Sequence, residues 1–261
     1  MSDDPVLFSL ADGVARLTLN RPEKLNAFNT AMFAGIAAAL DRVEAESARV
    51  LAITGAGRGF CAGADLNERD LSAGPPDLGA SLERNYNPMI RRLTQLPLPV
   101  VAVVNGVAAG AGANLALTGA DIVLAAKSAR FLQAFAKIGL LPDAGGTWSL
   151  PRLVGLPRAL ALAMLAEPLG AEEAERCGLI WKAVDDAALP AEAEALVQRL
   201  AQAPTAALAA IKQAMREGLN RDLSAQLDDE RDRQRVLGRT EDYSEGVAAF
   251  RDKRLPRFSG R

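Results

Sequence analysis

The sequence predicts an α/β fold: a mainly parallel sheet flanked by helices, with a helical region after it. Three observations carry the prediction. Between residues 14 and 126, short apolar segments alternate with amphipathic ones, the order that strand–helix–strand units produce. Glycine-rich loops stand where the apolar segments end. Beyond about residue 145, strand signals shrink to residues 180–184 and helical patterns follow one another toward the carboxy terminus.

Val14–Leu19 reads as a strand, closed by Asn20-Arg21-Pro22, because proline biases its predecessor away from helix. Thr30 is placed to cap a helix in which Met32, Phe33, Ile36, Leu40 and Val43 recur at helical spacing. Residues 50–54 form a wholly apolar strand of the kind buried on both faces. A glycine-rich loop follows, from Gly55 to Leu66. Residues 67–80 are polar and contain Pro and Gly, as a mobile loop would. A helix over residues 82–95 carries Arg84, Arg91 and Arg92 and is stopped by Pro97 and Pro99. The strand Val100–Val104 runs into a second Gly/Ala loop, Asn105 to Asn114, that opens directly onto a helix, and another strand covers residues 122–124. Helical patterns then occupy residues 159–165, 171–177, 188–203, 205–217, 223–237 and 241–253. We divide the chain into an α/β core over residues 1–200, holding the candidate site, and a helical region over 201–261. The alanine-rich faces of its helices suit close packing or subunit contact.

Composition narrows the chemistry. At 261 residues, 49% apolar and 24% charged, the chain can bury a sizeable core. It has no histidine, which excludes Ser-His-Asp triads, histidine general bases and histidine-ligated metals. Two cysteines, Cys61 and Cys177, make neither a four-cysteine zinc site nor a disulfide framework, so no metal and a reducing, cytoplasmic setting are expected. A net charge of −2 lacks the single-sign field of a nucleic-acid or anionic-membrane binder, and neither partner is expected. The acidic start Met-Ser-Asp-Asp-Pro is unlike a signal peptide, and the apolar stretch from Val100 to Ala126 is interrupted by Asn105, Asn114 and Asp121, so no transmembrane segment is expected either.

What remains for catalysis is carboxylates, lysines, tyrosines and main-chain dipoles. Chemistry on a carbonyl needs donors aimed at the oxygen that becomes negative, and free N–H groups in small-residue loops supply them. Gly110-Ala111-Gly112 lies where a strand ends and a helix begins, so its N–H groups have no partner within the helix and the helix dipole adds positive character. Ala62-Gly63-Ala64 can present a facing N–H. Either loop alone reads equally as a tight turn.

Three segments change that balance: Gly59 to Leu66, Val104-Asn105-Gly106 with Gly110 to Ala116, and Gly139-Leu140-Leu141-Pro142-Asp143-Ala144-Gly145-Gly146-Thr147. With Asn20-Arg21-Pro22 and Leu25-Asn26-Ala27 they resemble, in order and through nearly the whole chain, the crotonase (enoyl-CoA hydratase/isomerase) superfamily. The resemblance implies a spiral of ββα units with a helical carboxy-terminal trimerisation region, and a homotrimer or a hexamer built as a dimer of trimers. It implies an acyl-CoA thioester substrate and no separate cofactor, coenzyme A being part of the substrate. The oxyanion donors map to the N–H groups of Ala64 and Ala111. Coenzyme A maps along Lys24, Leu25 and Ala27 and the loop Ala62, Gly63, Asp65 and Leu66, with Gly110 among the substrate-binding positions. Phe250 and Lys253 would reach the nucleotide from the same or a neighbouring subunit. Lys24 would meet a phosphate as a point charge, although a solvated surface is the ordinary setting for any lysine. Asp65 reads as a loop-structuring carboxylate.

Hydratases of this superfamily use two glutamates, and here their places are taken by Asn114 and Phe135. Neither an amide nor a phenyl ring exchanges a proton at neutral pH. One acid is left, Asp143, at the position where isomerase members carry their carboxylate. Its neighbours Leu140, Leu141, Pro142 and Ala144 lead us to expect burial, which raises a carboxyl pKa; a helix N-cap or a solvated turn is the alternative. The run from Asp77 to Pro88, with Leu141 to Trp148, is similar to the phenylacetate-catabolism branch, whose isomerases turn a ring-1,2-epoxide into an oxepin and shift enoyl-CoA double bonds. Tyr86, Asn87, Phe135 and Trp148 would then line or cover the acyl pocket, although each reads equally as ordinary core or surface. The alternatives at this point are an enoyl-CoA hydratase, a hydrolase or dehalogenase with Asp143 as nucleophile, and a non-catalytic CoA-binding scaffold.

Overall fold

The computed structural model describes residues 4–68, 74 and 76–261. The chain begins with a hairpin in which β1 (Val6–Ala11) runs antiparallel to β2 (Val14–Leu19). Asp12 and Gly13 between them both take positive φ, 51° and 75°, the backbone that a two-residue hairpin turn requires. β3 (Val50–Gly55), β5 (Val100–Val104), β7 (Ile122–Ala126) and β10 (Lys182–Val184) extend the sheet in parallel, giving the order β1-β2-β3-β5-β7-β10. Every residue of β5 is buried, as expected of a parallel strand covered on both faces. β1 alternates half-buried and exposed positions because it is the sheet edge.

A second sheet is built from β4 (Gly59–Cys61), β6 (Val107–Ala109), β8 (Arg130–Leu132) and β9 (Leu169–Gly170), in the order β4-β6-β8-β9. Each pass of the chain therefore lays one long strand in the first sheet and one short strand in the second before returning through helical structure, which is a spiral of ββα units. Leu17, Met32, Leu51, Phe60, Leu93 and Leu124 fill the core, each almost wholly out of water.

Some elements depart from the sequence reading. The cap of the helix Thr30–Ala45 is Asn29, not Thr30: Asn29 Oδ1 accepts the Met32 N–H at 2.9 Å. The strands β4, β6, β8 and β9 are two or three residues long, too short for any periodicity to register. The helix expected over residues 82–95 instead starts at Leu78, capped by Asp77, passes through a π-helical turn at Leu82–Tyr86 and resumes as Asn87–Gln95. Pro88 falls just after that turn and offers no N–H. Of the loop expected over 67–80, residues 69–73 and 75 lie outside the described residues. The helix that Thr147 and Trp148 enter spans Gly146–Val154 and carries the chain away from the Asp143 turn. Because β3 and β5 run parallel, the loops that leave their carboxyl ends share one edge of the sheet, where ligands bind in open α/β sheets.

Candidate active site

Asn26 builds the first loop. Held at φ 58°, which asparagine tolerates better than most residues, it is wholly buried. Its Oδ1 accepts the Arg21 N–H at 2.8 Å, and its Nδ2 donates to the carbonyls of Ala56 (2.9 Å) and Gly59 (2.8 Å). The Ala62 N–H donates to Leu25 O at 2.9 Å, so the Arg21–Ala27 turn and the 56–62 loop are tied into one body. Phe28 then pairs with Ala64: its N–H donates to Gly63 O (2.7 Å) and its carbonyl accepts the Asp65 N–H (2.9 Å). In parallel pairing the bonds go to the residues on either side of Ala64, so the Ala64 N–H itself points away from Phe28.

Gly63 brings the two loops together. It sits at φ 89°, and a Cβ there would stand 2.8 Å from Ala109 O and 3.6 Å from Ala111 N. Gly112 packs as closely on the Cys61 carbonyl. Ala111 is the first residue of the helix Ala111–Asn114, which continues as a π-helical turn over Leu115–Gly119. Its N–H is one of the donors that a helix start leaves over. Among the described residues, neither the Ala64 nor the Ala111 N–H donates to a main-chain carbonyl.

Asp143 is anchored to the same helix. Asn114 Nδ2 donates to the Asp143 carbonyl at 2.8 Å, three residues along from Ala111 and so on the same helical face. Thr118, one turn on, donates to Ser149 Oγ at 2.8 Å. Ala144 and Gly145 both take left-handed φ, 48° and 82°. The N-cap of the helix Gly146–Val154 is Gly145, so the reading of Asp143 as the N-cap residue is corrected. The Asp143 side chain is half-buried with Oδ1 shielded from solvent.

The other loop acid is committed elsewhere. Asp65 Oδ2 accepts from Arg21 Nη2 at 3.0 Å and its Oδ1 accepts the Asn67 N–H at 3.1 Å. Burial alone would push this carboxyl up, but the hydrogen bond and charge of Arg21, with the Asn67 donors, outweigh it and hold the pKa below the usual carboxylate value.

Tyr86 packs edge-on against Phe28 and Phe33, with centroids 5.8 and 4.7 Å away, and so reaches the residue that pairs with Ala64. The Phe135 ring lies 3.7 Å from where a Gly110 Cβ would stand, where it occludes the Gly110 side of the loop. Asn87 is half-buried and donates to Glu83. Lys24 is exposed, Leu25 half-buried at φ 49°, Ala27 buried and Leu66 exposed. Trp148 is not brought to this group: it stacks under Arg152 at 4.3 Å and lines a cavity of about 650 Å³ with Leu117, Ile211, Met215 and Leu219. Phe250 and Lys253 are exposed at the end of the helix Glu241–Asp252. The tail following that helix is pinned through Phe258 to Arg49, at the amino-terminal edge of β3 and away from the loops. Three residues that shape these loops received no site role from the sequence: Arg21 and Asn26, quoted only within the early signature, and Gln133. Gln133 could have been flagged as the one polar residue in Phe131-Leu132-Gln133-Ala134-Phe135.

The comparison with known proteins agrees with this architecture. Residues 9–261 match the family model described as enoyl-CoA hydratase/isomerase. The chain belongs to the enoyl-CoA hydratase/isomerase family. It is 55% identical over 259 residues to the 1,2-epoxyphenylacetyl-CoA isomerase of Escherichia coli (strain K12), covering 98% of both chains. It is 50% identical over 261 residues, the whole of both chains, to a Rhodobacter capsulatus protein named "Probable enoyl-CoA hydratase". The crystal structure of an enoyl-CoA hydratase from Bacillus anthracis superposes with a TM-score of 0.91 at 31% identity, covering 98% of this chain and all of that one. As a member of this family the chain is an enzyme, and an acyl-CoA substrate is consistent with the family.

Proposed function

We propose that this enzyme is an acyl-CoA isomerase in which the N–H groups of Ala64 and Ala111 hold the thioester oxygen and Asp143 is the general base. The observation that carries the reading is the anchoring of Asp143, through Asn114, to the helix that Ala111 begins, while Asp65 is held as an anion by Arg21. Asp143 takes a proton from the carbon beside the thioester, the electron pair moves onto the carbonyl oxygen, and the two N–H groups stabilise the enolate. The same proton returns further along the conjugated system, so nothing is gained or lost. Coenzyme A lies along Lys24, Leu25, Ala27 and the Ala62–Leu66 loop, and Tyr86 and Phe135 bound the acyl group. The 55% identity to 1,2-epoxyphenylacetyl-CoA isomerase favours ring-1,2-epoxyphenylacetyl-CoA, converted to the oxepin-CoA, with double-bond shifts in enoyl-CoA thioesters as a related activity. Exposed apolar side chains in the carboxy-terminal helical region, Met215, Leu219, Leu223 and Val236 among them, support a trimer or a dimer of trimers.

The test incubates the purified protein with ring-epoxidised phenylacetyl-CoA, 3-enoyl-CoA and 2-enoyl-CoA, and follows products by mass and ultraviolet absorbance. Isomerised products of unchanged mass are expected, and Asp143→Asn should lower turnover by roughly a hundred- to ten-thousand-fold. A product heavier by one water, with Asp143→Asn fully active, would establish a hydratase instead. Oxygen from labelled water appearing in Asp143 after turnover would establish a nucleophilic carboxylate.

A further inference from the structure

A chain of two buried amides runs beneath the candidate site and ends on the Asp143 peptide. Asn114 is wholly buried and Gln133 is 4% exposed. The polarity of the chain is fixed without ambiguity. A main-chain carbonyl can only accept, so the atom that meets Asp143 O at 2.8 Å is Asn114 Nδ2. Asn114 Oδ1 then faces the other way and accepts from Gln133 Nε2 at 2.9 Å. Gln133 is itself set by the second sheet, since Leu132 pairs with Ala109 and its carbonyl accepts the Gly110 N–H at 2.8 Å. One hydrogen-bonded path thus links the strand next to the Ala111 donor, the helix that Ala111 starts and the turn that carries Asp143.

We propose that Gln133 and Asn114 are positioning residues, an amide relay that fixes the Asp143 peptide relative to the oxyanion donors. Three features support this. The peptide being held is followed by two left-handed residues, Ala144 and Gly145, a conformation that an alanine does not keep without restraint. Gly146 has no room for a side chain because Asn114 Nδ2 occupies it, so the turn is shaped around the amide. Gln133 Oε1 is buried with no hydrogen-bond partner among the described residues, a cost that an apolar side chain filling the same space would not carry. A carboxylate at position 114 would place an acceptor against the Asp143 carbonyl, and the link would be lost. The asparagine is therefore required by the single-carboxylate site, not merely what is left when a glutamate is absent.

This inference rests on Asp143 being the general base, and the experiment separates the two. Gln133→Met removes the Asn114 partner with little change in volume, and Asn114→Asp removes the donor to Asp143. For each, kcat and KM on 3-enoyl-CoA, the pH profile of kcat/KM, the melting temperature and the Kd for unreactive phenylacetyl-CoA are measured. Both variants are also made in the Asp143→Asn background. The expected result is a kcat lowered by roughly a hundred-fold, as misplacement of a catalytic group by about 1 Å produces, with a displaced pH profile and with KM and the phenylacetyl-CoA Kd within three-fold of the parent. In the Asp143→Asn background, neither substitution should lower the residual rate further. The relay is overturned if Gln133→Met and Asn114→Asp keep kcat within two-fold, if phenylacetyl-CoA binding weakens in step with kcat, or if the losses add in full to that of Asp143→Asn. Full activity of Asp143→Asn alone would instead overturn the assignment of the base. If Gln133→Met does not fold, Asn114→Asp carries the same cycle.

Discussion

Three buried side chains, Cys61, Asp65 and Asn26, shape the first loop in different ways. The Cys61 thiol is wholly buried in that loop and donates to the Asn26 carbonyl at 3.1 Å. Burial pushes its pKa up to about 12, offset slightly by the Gly63 main chain, so no appreciable thiolate exists at neutral pH. Native protein treated with iodoacetamide at pH 8 should therefore show Cys61 unmodified by peptide mapping, and denatured protein should show it alkylated. Asp65 behaves oppositely. Its folded pKa lies below the unfolded value because Arg21 and the Asn67 donors outweigh burial, so its contribution to stability is present above the ordinary carboxylate pKa. That contribution disappears as pH falls through the folded value. The gap in unfolding free energy between the parent and Asp65→Asn should be largest near pH 7 and should close below about pH 4, measured by urea denaturation at stepped pH. Asn26 has no titratable role, yet it holds three backbone groups of two loops.

At the scale of elements, the site is a contact between a helix and a turn. Asn114 and Thr118 lie four residues apart on the segment 111–119, and both point at the 143–149 segment. Gly145 and Gly146 are there because those two side chains come too close for a Cβ: Thr118 meets the first and Asn114 the second. Gly145 also has the left-handed backbone that glycine adopts without strain. Gly146→Ala should lower stability by about 2 kcal/mol, the scale of overpacking in a tight contact, and should cost more activity than stability because the displaced atom is the Asn114 donor to Asp143. Thermal unfolding with turnover on 3-enoyl-CoA checks both. The π-helical turn at Leu115–Gly119 is the kind of insertion found at functional sites.

For the molecule as a whole, one buried cation ties the carboxy-terminal helices to the core. Lys212, on the helix Thr205–Gly218, is 7% exposed and donates to the carbonyls of Leu93 (2.9 Å) and Leu98 (3.2 Å), with Asp121 Oδ2 at 3.0 Å. Leu93 is in the last turn of the helix Asn87–Gln95, where carbonyls lack intrahelical partners. Burial pushes the Lys212 pKa down, partly countered by Asp121. Lys212→Ala should destabilise by about 2 kcal/mol, because the Leu93 and Leu98 carbonyls lose their buried donor, measured by urea denaturation at fixed protein concentration. Among the described residues, no helix is long and apolar enough to cross a membrane.

How much of this was legible in the sequence follows from the range of the interactions involved. β2, β3, β5 and β7 are six- or five-residue runs of apolar and β-branched side chains, and a run of that length carries its own signal. The glycine loops, the absence of histidine and the presence of Asp143 are properties of single positions, and the sequence states them outright; that Asn114 and Phe135 stand where hydratases carry two glutamates is what the family resemblance adds. The second sheet was invisible because strands of two or three residues exist only through partners about twenty or more residues away. The same holds for the site. That Gly63 meets Ala111, that Gln133 reaches Asn114 and Asn114 reaches Asp143, and that Trp148 turns toward Met215 instead of Phe135 are contacts between distant segments. The sequence by itself determined which groups can do chemistry; the tertiary structure decided which of them meet, because only packing brings residues 19 to 29 positions apart within hydrogen-bonding distance.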